Sequence, residues 1–241
     1  MASPFRLLLV LATLVGLNFG LSAKEKSGKH LFILSGQSNM TGTVRDAFAK
    51  KVHEHFGEEN ATVVMRMKSG RGIRFWVADY NQPNGRGLTT KKMTSNGQEY
   101  KPLIEAALAA AKDQSFDTVG FIWMQGESDA NNRLSEVYEE SFNKLIQRFK
   151  NDLGREDLYF VIGRINDYAR SRPDNEHWKQ VRATQVKLGK TKGNAWIDTD
   201  DLNGGDANKP DGDIHFPREG AAQLGQRFAE KAMELIQCSK N

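Results

Sequence analysis

Leu31-Phe32-Ile33-Leu34, followed at once by Ser35-Gly36-Gln37-Ser38-Asn39-Met40, is an apolar run that ends in a glycine and a row of polar side chains. A run this short, apolar at every position, reads as a strand buried on both faces, and Gly36 lets the backbone bend sharply towards a helix start. Four further runs of the same kind follow, Thr62 to Met67, Thr118 to Met124, Tyr159 to Ile162 and Ala195 to Ile197. Between them apolar residues recur at helical spacing. One stripe is Leu103, Ile104, Ala107, Leu108 and Ala111, and a second is Val137, Tyr138, Phe142, Leu145, Ile146, Phe149 and Leu153. Trp178, Val181 and Val186 mark another, and a last helix starts near Pro217 and buries Leu224, Phe228, Met233 and Ile236. Strands alternating with helices predict a single three-layer α/β/α domain. Right-handed crossovers then give its five-stranded parallel sheet a flavodoxin-like order. Ligands of such sheets bind beyond the carboxyl ends of the strands, so chemistry is to be sought in the loops that follow strands.

The whole chain sets bounds on that domain. Arg6 followed by an apolar core from Leu7 to Leu17 has the layout of a secretory signal peptide, residues 1–22, with cleavage after Ser22 or Ala23. The apolar stretch is short of the roughly 20 residues needed to cross a bilayer, and no later one is long enough, so no stable membrane insertion is expected after cleavage. The expected location is secreted or periplasmic. Residues 23–241 then form the mature domain. Its only cysteine, Cys238, allows no disulfide within the chain, so stability must come from the core. The formal charge of +4 comes from residues spread along the chain, which argues against nucleic acid as a partner. There is no internal repeat or low-complexity tract. Phe75 to Gln98, rich in Asn, Gly, Thr and Lys, is longer than most connections and reads equally as a substrate-binding loop or a mobile one.

Three segments carry candidate chemistry. Ser38 lies at the strand-to-helix turn after the first strand, where it could serve as a nucleophile whose own amide stabilises an oxyanion, or as a helix cap. Trp123-Met124-Gln125-Gly126-Glu127-Ser128-Asp129 switches abruptly from apolar to polar after the third strand. Gln125 can donate two hydrogen bonds without adding charge, either to a negative oxygen or between loops. Glu127 could orient a histidine or hold its loop by accepting backbone hydrogens. Asp211-Gly212-Asp213-Ile214-His215-Phe216-Pro217 precedes the final helix. A neutral imidazole at 215 could take a serine proton with a carboxylate holding its tautomer, or could be structural.

The GQSN turn, the WMQGESD segment and the DIHF segment, in that order, resemble the sialate O-acetylesterase and acetylxylan esterase branch of the SGNH hydrolases, and the likeness runs from about Leu31 to Ile236. The resemblance implies Ser38 as nucleophile, His215 as general base, and Gln125 as the side-chain donor to the oxyanion hole. It also places the Gln125 to Glu127 turn in the active site. Ser69-Gly70-Arg71-Gly72-Ile73-Arg74-Phe75-Trp76 is similar to the family loop whose glycine amide completes that hole. Aligning Ile73 and Trp76 selects Gly70, with Gly72 in reserve. Many SGNH enzymes carry aspartate three residues before the histidine, where this chain has Gly212. Asp213 sits two before it instead. Because the Asp-Ile-His spelling resembles the sialate esterase branch, the resemblance makes Asp213 the residue expected to orient His215, with Asp211, Glu127 or a dyad helped only by a backbone carbonyl as alternatives. The implied activity is hydrolysis of O-acetyl or similar small acyl esters on carbohydrate through an acyl-enzyme, with no metal or organic cofactor and an acetylated carbohydrate as the partner. A lipase or general esterase on non-sugar esters, and a non-catalytic carbohydrate-binding protein, are the rival readings. The sugar, the acyl position and the oligomeric state stay open.

Other polar clusters offer less. His53 and His55 with Glu54 or Glu58 lie in a charged segment that lacks a closed ligand set and reads as solvated surface. Asp198, Asp200, Asp201, Asp206, Asp211 and Asp213 lack the spacing of a calcium loop and read as a polar loop leading to the histidine. Gly189-Lys190 lacks the upstream glycine of a phosphate loop. Arg71 and Arg74 could meet an anionic sugar or face water.

Overall fold

A computed structural model describes residues 28–83, 95–169, 173–204 and 212–239. The expected signal peptide, Asp206, Asp211 and the middle of the Phe75 to Gln98 stretch lie outside these residues. Strands β1 (His30–Gly36), β2 (Ala61–Met67), β3 (Thr118–Met124), β4 (Tyr159–Gly163) and β5 (Ala195–Ile197) form the expected five-stranded sheet. Every pairing is parallel and the order is β2-β1-β3-β4-β5. The register brings three strands to a common end, because Gly36 pairs with Met67 on one side and with Met124 on the other. From that end the chain leaves β1 towards one neighbour and β3 towards the other, which opens a crevice between their loops.

Among the described residues six α-helices cover the sheet: α1 (Gly42–Phe56), α2 (Tyr100–Ala111), the short α3 (Glu127–Asn131), α4 (Tyr138–Leu153), α5 (Glu176–Gly189) and α6 (Arg218–Ser239). Two of these escaped the periodicity reading. Helix α1 buries only Val44, Phe48, Val52 and Phe56, one residue per turn on an otherwise charged helix, so its stripe is too narrow to stand out. The charged segment around His53 and His55 is its last turn, and His53 Nε2 lies 2.9 Å from the Ala61 carbonyl oxygen. Helix α3 is a single turn, below the length at which a period can be seen.

Side chains alternate between the two faces of the sheet, and each face has its own aromatic packing. Phe32 meets Phe48 of α1 edge-on at 5.2 Å between ring centroids, and Met124 lies with Phe228 of α6 over Gly163. On the other face Trp123 stands perpendicular to Trp76 at 5.1 Å, Phe121 packs on Phe149 at 4.8 Å, and Phe142 meets Phe160 edge-on at 4.9 Å. Burial of each such ring contributes about 1.5–3 kcal/mol, so the sheet is held rigidly between its helices by apolar area without a disulfide. Helix α6 reaches α1 at Gly225, where a Cβ would come within 2.3 Å of the Val44 carbonyl oxygen.

Gly36 does more than bend the chain. Its φ is +147°, and a Cβ there would sit 1.9 Å from the carbonyl oxygen of Met124. Any side chain would push apart the ends of β1 and β3. Gly36→Ala should therefore lower the unfolding free energy by about 3 kcal/mol or more, measured by urea denaturation. A loss below about 1 kcal/mol would mean that the two strand ends are not so tightly apposed.

Candidate active site

The crevice between β1 and β3 receives three loops. After β1 the backbone of Gln37 donates to the Met124 carbonyl at 2.9 Å, which sets the turn against the end of β3. Ser38, next in the chain, is partly exposed and is not a helix cap, because Thr41 caps α1 by accepting from the Val44 amide at 3.3 Å. His215 lies exposed in the loop before α6 with its Nε2 3.0 Å from the Ser38 hydroxyl oxygen. These residues are 177 positions apart, and the sheet order alone brings them to one edge. With the ring proton on Nδ1, Nε2 can accept the serine proton in this geometry.

The histidine loop is clamped from three directions. Asn39, 2% exposed, donates from Nδ2 to the Ile214 carbonyl at 2.9 Å and to Glu127 Oε1 at 2.7 Å, and its Oδ1 accepts from the Phe216 amide at 3.2 Å. Asn166, after β4, donates to the carbonyls of Asp213 and Ile214 at 3.1 and 3.2 Å. The Asp213 amide donates to the Asn203 carbonyl at 3.1 Å, beside Gly212, whose φ of +60° and lack of a Cβ allow the Asn203 side chain to approach. Sequence reasoning did not single out Asn39, Asn166 or Asn203. The GQSN motif contains Asn39, but nothing in a one-dimensional pattern says that its amide turns towards a loop 177 residues away.

Two expected roles take a different form. Asp213 accepts from the backbone amide of His215 at 3.1 Å, so among the described residues its carboxylate holds the main chain and not the imidazole. Gln125, expected to offer its amide to an oxyanion, lies fully buried beneath the crevice. Its Nε2 is surrounded by Asp129 Oδ2 at 2.5 Å and by Gln37 Oε1 and the Arg71 carbonyl, both at 3.2 Å. It ties the loops after β1, β2 and β3 together, the other role open to a buried amide. Glu127 likewise bonds Asn39 and holds the loop, with no bond to the histidine ring.

The loop after β2 presents two different glycines. Gly70 is exposed, with φ +68° and no atom within 4 Å of where its Cβ would be. Gly72 is buried, and a Cβ there would come within 3.1 Å of the Asp129 carboxylate, which accepts from the Ile73 amide at 2.9 Å. Neither arginine of the loop simply faces water. Arg71 and Arg74 place their guanidinium carbons 4.3 and 3.9 Å from the centroid of the Phe75 ring, and Arg74 also donates to Asn96 at 3.0 Å. The acidic run also differs from a plain polar loop, since Asp200 pairs with Arg164 and Arg182 and Asp201 with Arg227.

Two buried acids underlie the crevice. Burial raises the Glu127 carboxyl from 4.5 to about 7 against the opposing bonds from the backbone and Asn39, with the charge of Asp129 adding to the rise. Burial raises Asp129 to about 6 against the bonds from Gln125 and Ile73. The folded state therefore binds protons that the unfolded chain has already released between about pH 4.5 and 7. The sign follows: this pair penalises folding progressively as pH rises through that window and imposes no penalty below it. Glu127→Gln keeps an acceptor for Asn39 and removes one titration. Across pH 4 to 8 its urea-unfolding free energy should gain about 3 kcal/mol relative to the wild type, a gain absent if Glu127 is not desolvated.

Residues 44–234 match the model of a family described as carbohydrate esterase, sialic acid-specific acetylesterase. The matched span includes Gly70, Gln125, Glu127, Asp213 and His215 and begins just after Ser38. No curated protein matches the chain. Among solved structures, a protein from Arabidopsis thaliana superposes with a TM-score of 0.62 at 16% identity, over 86% of this chain and 99% of its own. A carbohydrate acetylesterase from Xanthomonas citri gives 0.60 at 15% identity over 85% of this chain, which spans 56% of that longer one. A carbohydrate acetylesterase from Sinorhizobium meliloti gives 0.53 at 14% identity, over 86% and 99%. At such identities these likenesses concern the fold, whereas the family model covers most of the sequence and places the chain in the carbohydrate esterase family of sialic acid-specific acetylesterases, as an ester hydrolase.

Proposed function

We propose that this protein removes O-acetyl or similar small acyl groups from carbohydrate through an acyl-enzyme formed on Ser38, and that it acts outside the cytoplasm after loss of an N-terminal leader. The observation that carries the chemistry is the 3.0 Å approach of His215 Nε2 to the Ser38 hydroxyl at the crevice between β1 and β3. The family supports acetylated carbohydrate as the substrate class. An exposed histidine beside a partly exposed serine also suits an ester carried on a large saccharide, which could not enter a closed cavity. Export rests on the layout of residues 1–22 alone.

In the first step His215 takes the hydroxyl proton as Ser38 Oγ bonds to the acyl carbon, and the carbonyl oxygen gains the negative charge. The tetrahedral intermediate collapses when the bond to the sugar oxygen breaks, and the imidazolium returns its proton to that leaving alcohol. Water then attacks the acyl-serine, giving up a proton to the same imidazole, which returns it to Ser38 Oγ as acetate or another small acid leaves. The amides of Ser38 and Gly70 are the donors proposed for the negative oxygen, and among the described residues neither is bonded to a protein acceptor. Gln125 supports this hole from below by holding the Arg71 carbonyl next to Gly70. Asp213 acts on the base through its main chain.

The test is acetate release from a panel containing acetylated xylan, acetylated sialic acid and nitrophenyl esters of increasing chain length. Ser38→Ala and His215→Ala should each lose about a thousandfold or more. Asp213→Asn, which still offers an oxygen to the His215 amide, should lose less than about tenfold, whereas a carboxylate that orients the ring loses about ten-thousandfold on amidation. A preference for long acyl chains would move the protein to general esterases, and full activity in Ser38→Ala would remove the proposed nucleophile.

A further inference from the structure

We propose that Asn39 is the positioning residue for the general base, holding His215 on Ser38 by gripping the backbone on both sides of the histidine. The inference rests on the reading of Ser38 and His215 as the reacting pair and adds to it the means by which the base is placed.

Little else among the described residues holds the ring. Among the described residues, Nδ1 of His215 has no hydrogen-bond partner, and the carboxylate nearest in sequence is bonded to the main chain. Among the described residues the imidazole is therefore aimed by the path of its own backbone. That path is set at Ile214 and Phe216, the two residues flanking the histidine, by one side chain: Asn39 donates to the carbonyl of the first and accepts from the amide of the second. Asn39 is also the residue after Ser38, so nucleophile and base are related through immediate chain neighbours on each side. A displacement of either segment is passed directly to the other.

The chemistry of the position explains why an asparagine is needed. The Ile214 carbonyl requires a donor and the Phe216 amide an acceptor, which assigns the two ends of the amide without ambiguity. The remaining N–H goes to Glu127 Oε1 at 2.7 Å, the shortest bond of the three, which locks the amide plane. Aspartate would keep the contact with Phe216 but present oxygen to the Ile214 carbonyl and to Glu127. Glutamine would overreach, and serine could not bridge both flanks. Asn166 adds bonds to Asp213 and Ile214, yet none of its hydrogen bonds reaches the β1 turn, so it does not tie the loop to Ser38.

The experiment compares full-length wild type with Asn39→Ala, Asn39→Asp and the reversed pair Asn39→Asp/Glu127→Gln. The readouts are kcat and KM on nitrophenyl acetate, the rate at which a fluorophosphonate labels Ser38, and the thermal midpoint. A base misplaced by about 1 Å costs roughly a hundredfold, so both single variants should lose about that factor in kcat and in labelling rate, with KM within about twofold. In the reversed pair the amide introduced at position 127 donates to the carboxylate introduced at position 39, which removes the repulsion there and restores the grip on the Phe216 amide. The Ile214 carbonyl still lacks its donor, so the recovery is partial. At least about tenfold of the Asn39→Asp loss should return.

A merely structural role would lower the thermal midpoint of all three variants and leave the kcat of the folded fraction near that of the wild type. That result overturns the inference, as does a reversed pair that recovers nothing or does not fold. If Asn39→Ala alone fails to fold, Asn39→Asp and the reversed pair decide. A wild type that neither hydrolyses nor labels removes the reading of Ser38 and His215 and the inference with it, whereas an active wild type with unaffected Asn39 variants overturns the inference alone.

Discussion

The hydrogen bond from the Gln37 amide to the Met124 carbonyl closes the ends of two neighbouring parallel strands against each other, and it forms only because Gly36 has no side chain to keep them apart. Once those ends meet, the chain after β1 and the chain after β3 must leave towards opposite sides of the sheet, since β2 and β4 lie on opposite flanks. A crevice results at the switch in strand order, with Ser38 on one lip and Gln125 to Asp129 on the other. The loops after β2 and β4 and the segment before α6 then attach to these two lips. Asp129 holds the first through the Ile73 amide, and Asn39 and Asn166 hold the last.

What lies beneath the crevice is polar, and it is costly. Gln125, Glu127 and Asp129 are all at most 1% exposed, and Gln125 Oε1, Glu127 Oε2 and Asp129 Oδ1 have no partner among the described residues. Each unpaired buried atom costs on the order of 1–3 kcal/mol, which the aromatic packing on either face of the sheet has to offset. The return for this cost is geometry. An apolar floor would be more stable but could not give the surrounding loops fixed relative positions, because dispersion is non-directional whereas an amide between three acceptors has one orientation. Glu127, raised by burial to about 7, is partly protonated at neutral pH, which lessens the desolvation penalty while leaving Oε1 free to accept from Asn39.

Much of this was written plainly in the chain. The strands stand out because their runs are almost wholly apolar: β1 and β4 are buried at every position, while the edge strand β2 is half-buried and is broken only by the exposed Arg66. The serine, glutamine and histidine segments stand out because each turns abruptly polar after a strand or before a helix. Helix α1 was hidden by its own charge, since Val44, Phe48, Val52 and Phe56 give one apolar residue per turn. Thr41 as its cap, and hence the release of Ser38 from that duty, shows only in the folded chain. The roles of Asp213 and Gln125 were less legible still, because spacing along the chain brings a carboxylate near a histidine without saying whether it meets the ring or the backbone. Asn39 makes the same point in reverse: the motif that singled out Ser38 contained it, but its meaning depends on a loop at the other end of the chain.

The proposed chemistry depends on one arrangement, the Ser38 hydroxyl 3.0 Å from the His215 imidazole at the β1–β3 crevice, with the Ser38 and Gly70 amides as the proposed donors to the negative oxygen. A crystal structure of the full chain after reaction with a small fluorophosphonate tests it most directly. The account predicts a single covalent adduct on Ser38 Oγ, with the phosphonyl oxygen within about 3.1 Å of the Ser38 amide and His215 Nε2 still facing the adduct. An adduct on another residue, or one on Ser38 with the phosphonyl oxygen turned away from the amides and His215 swung out of reach, would contradict it.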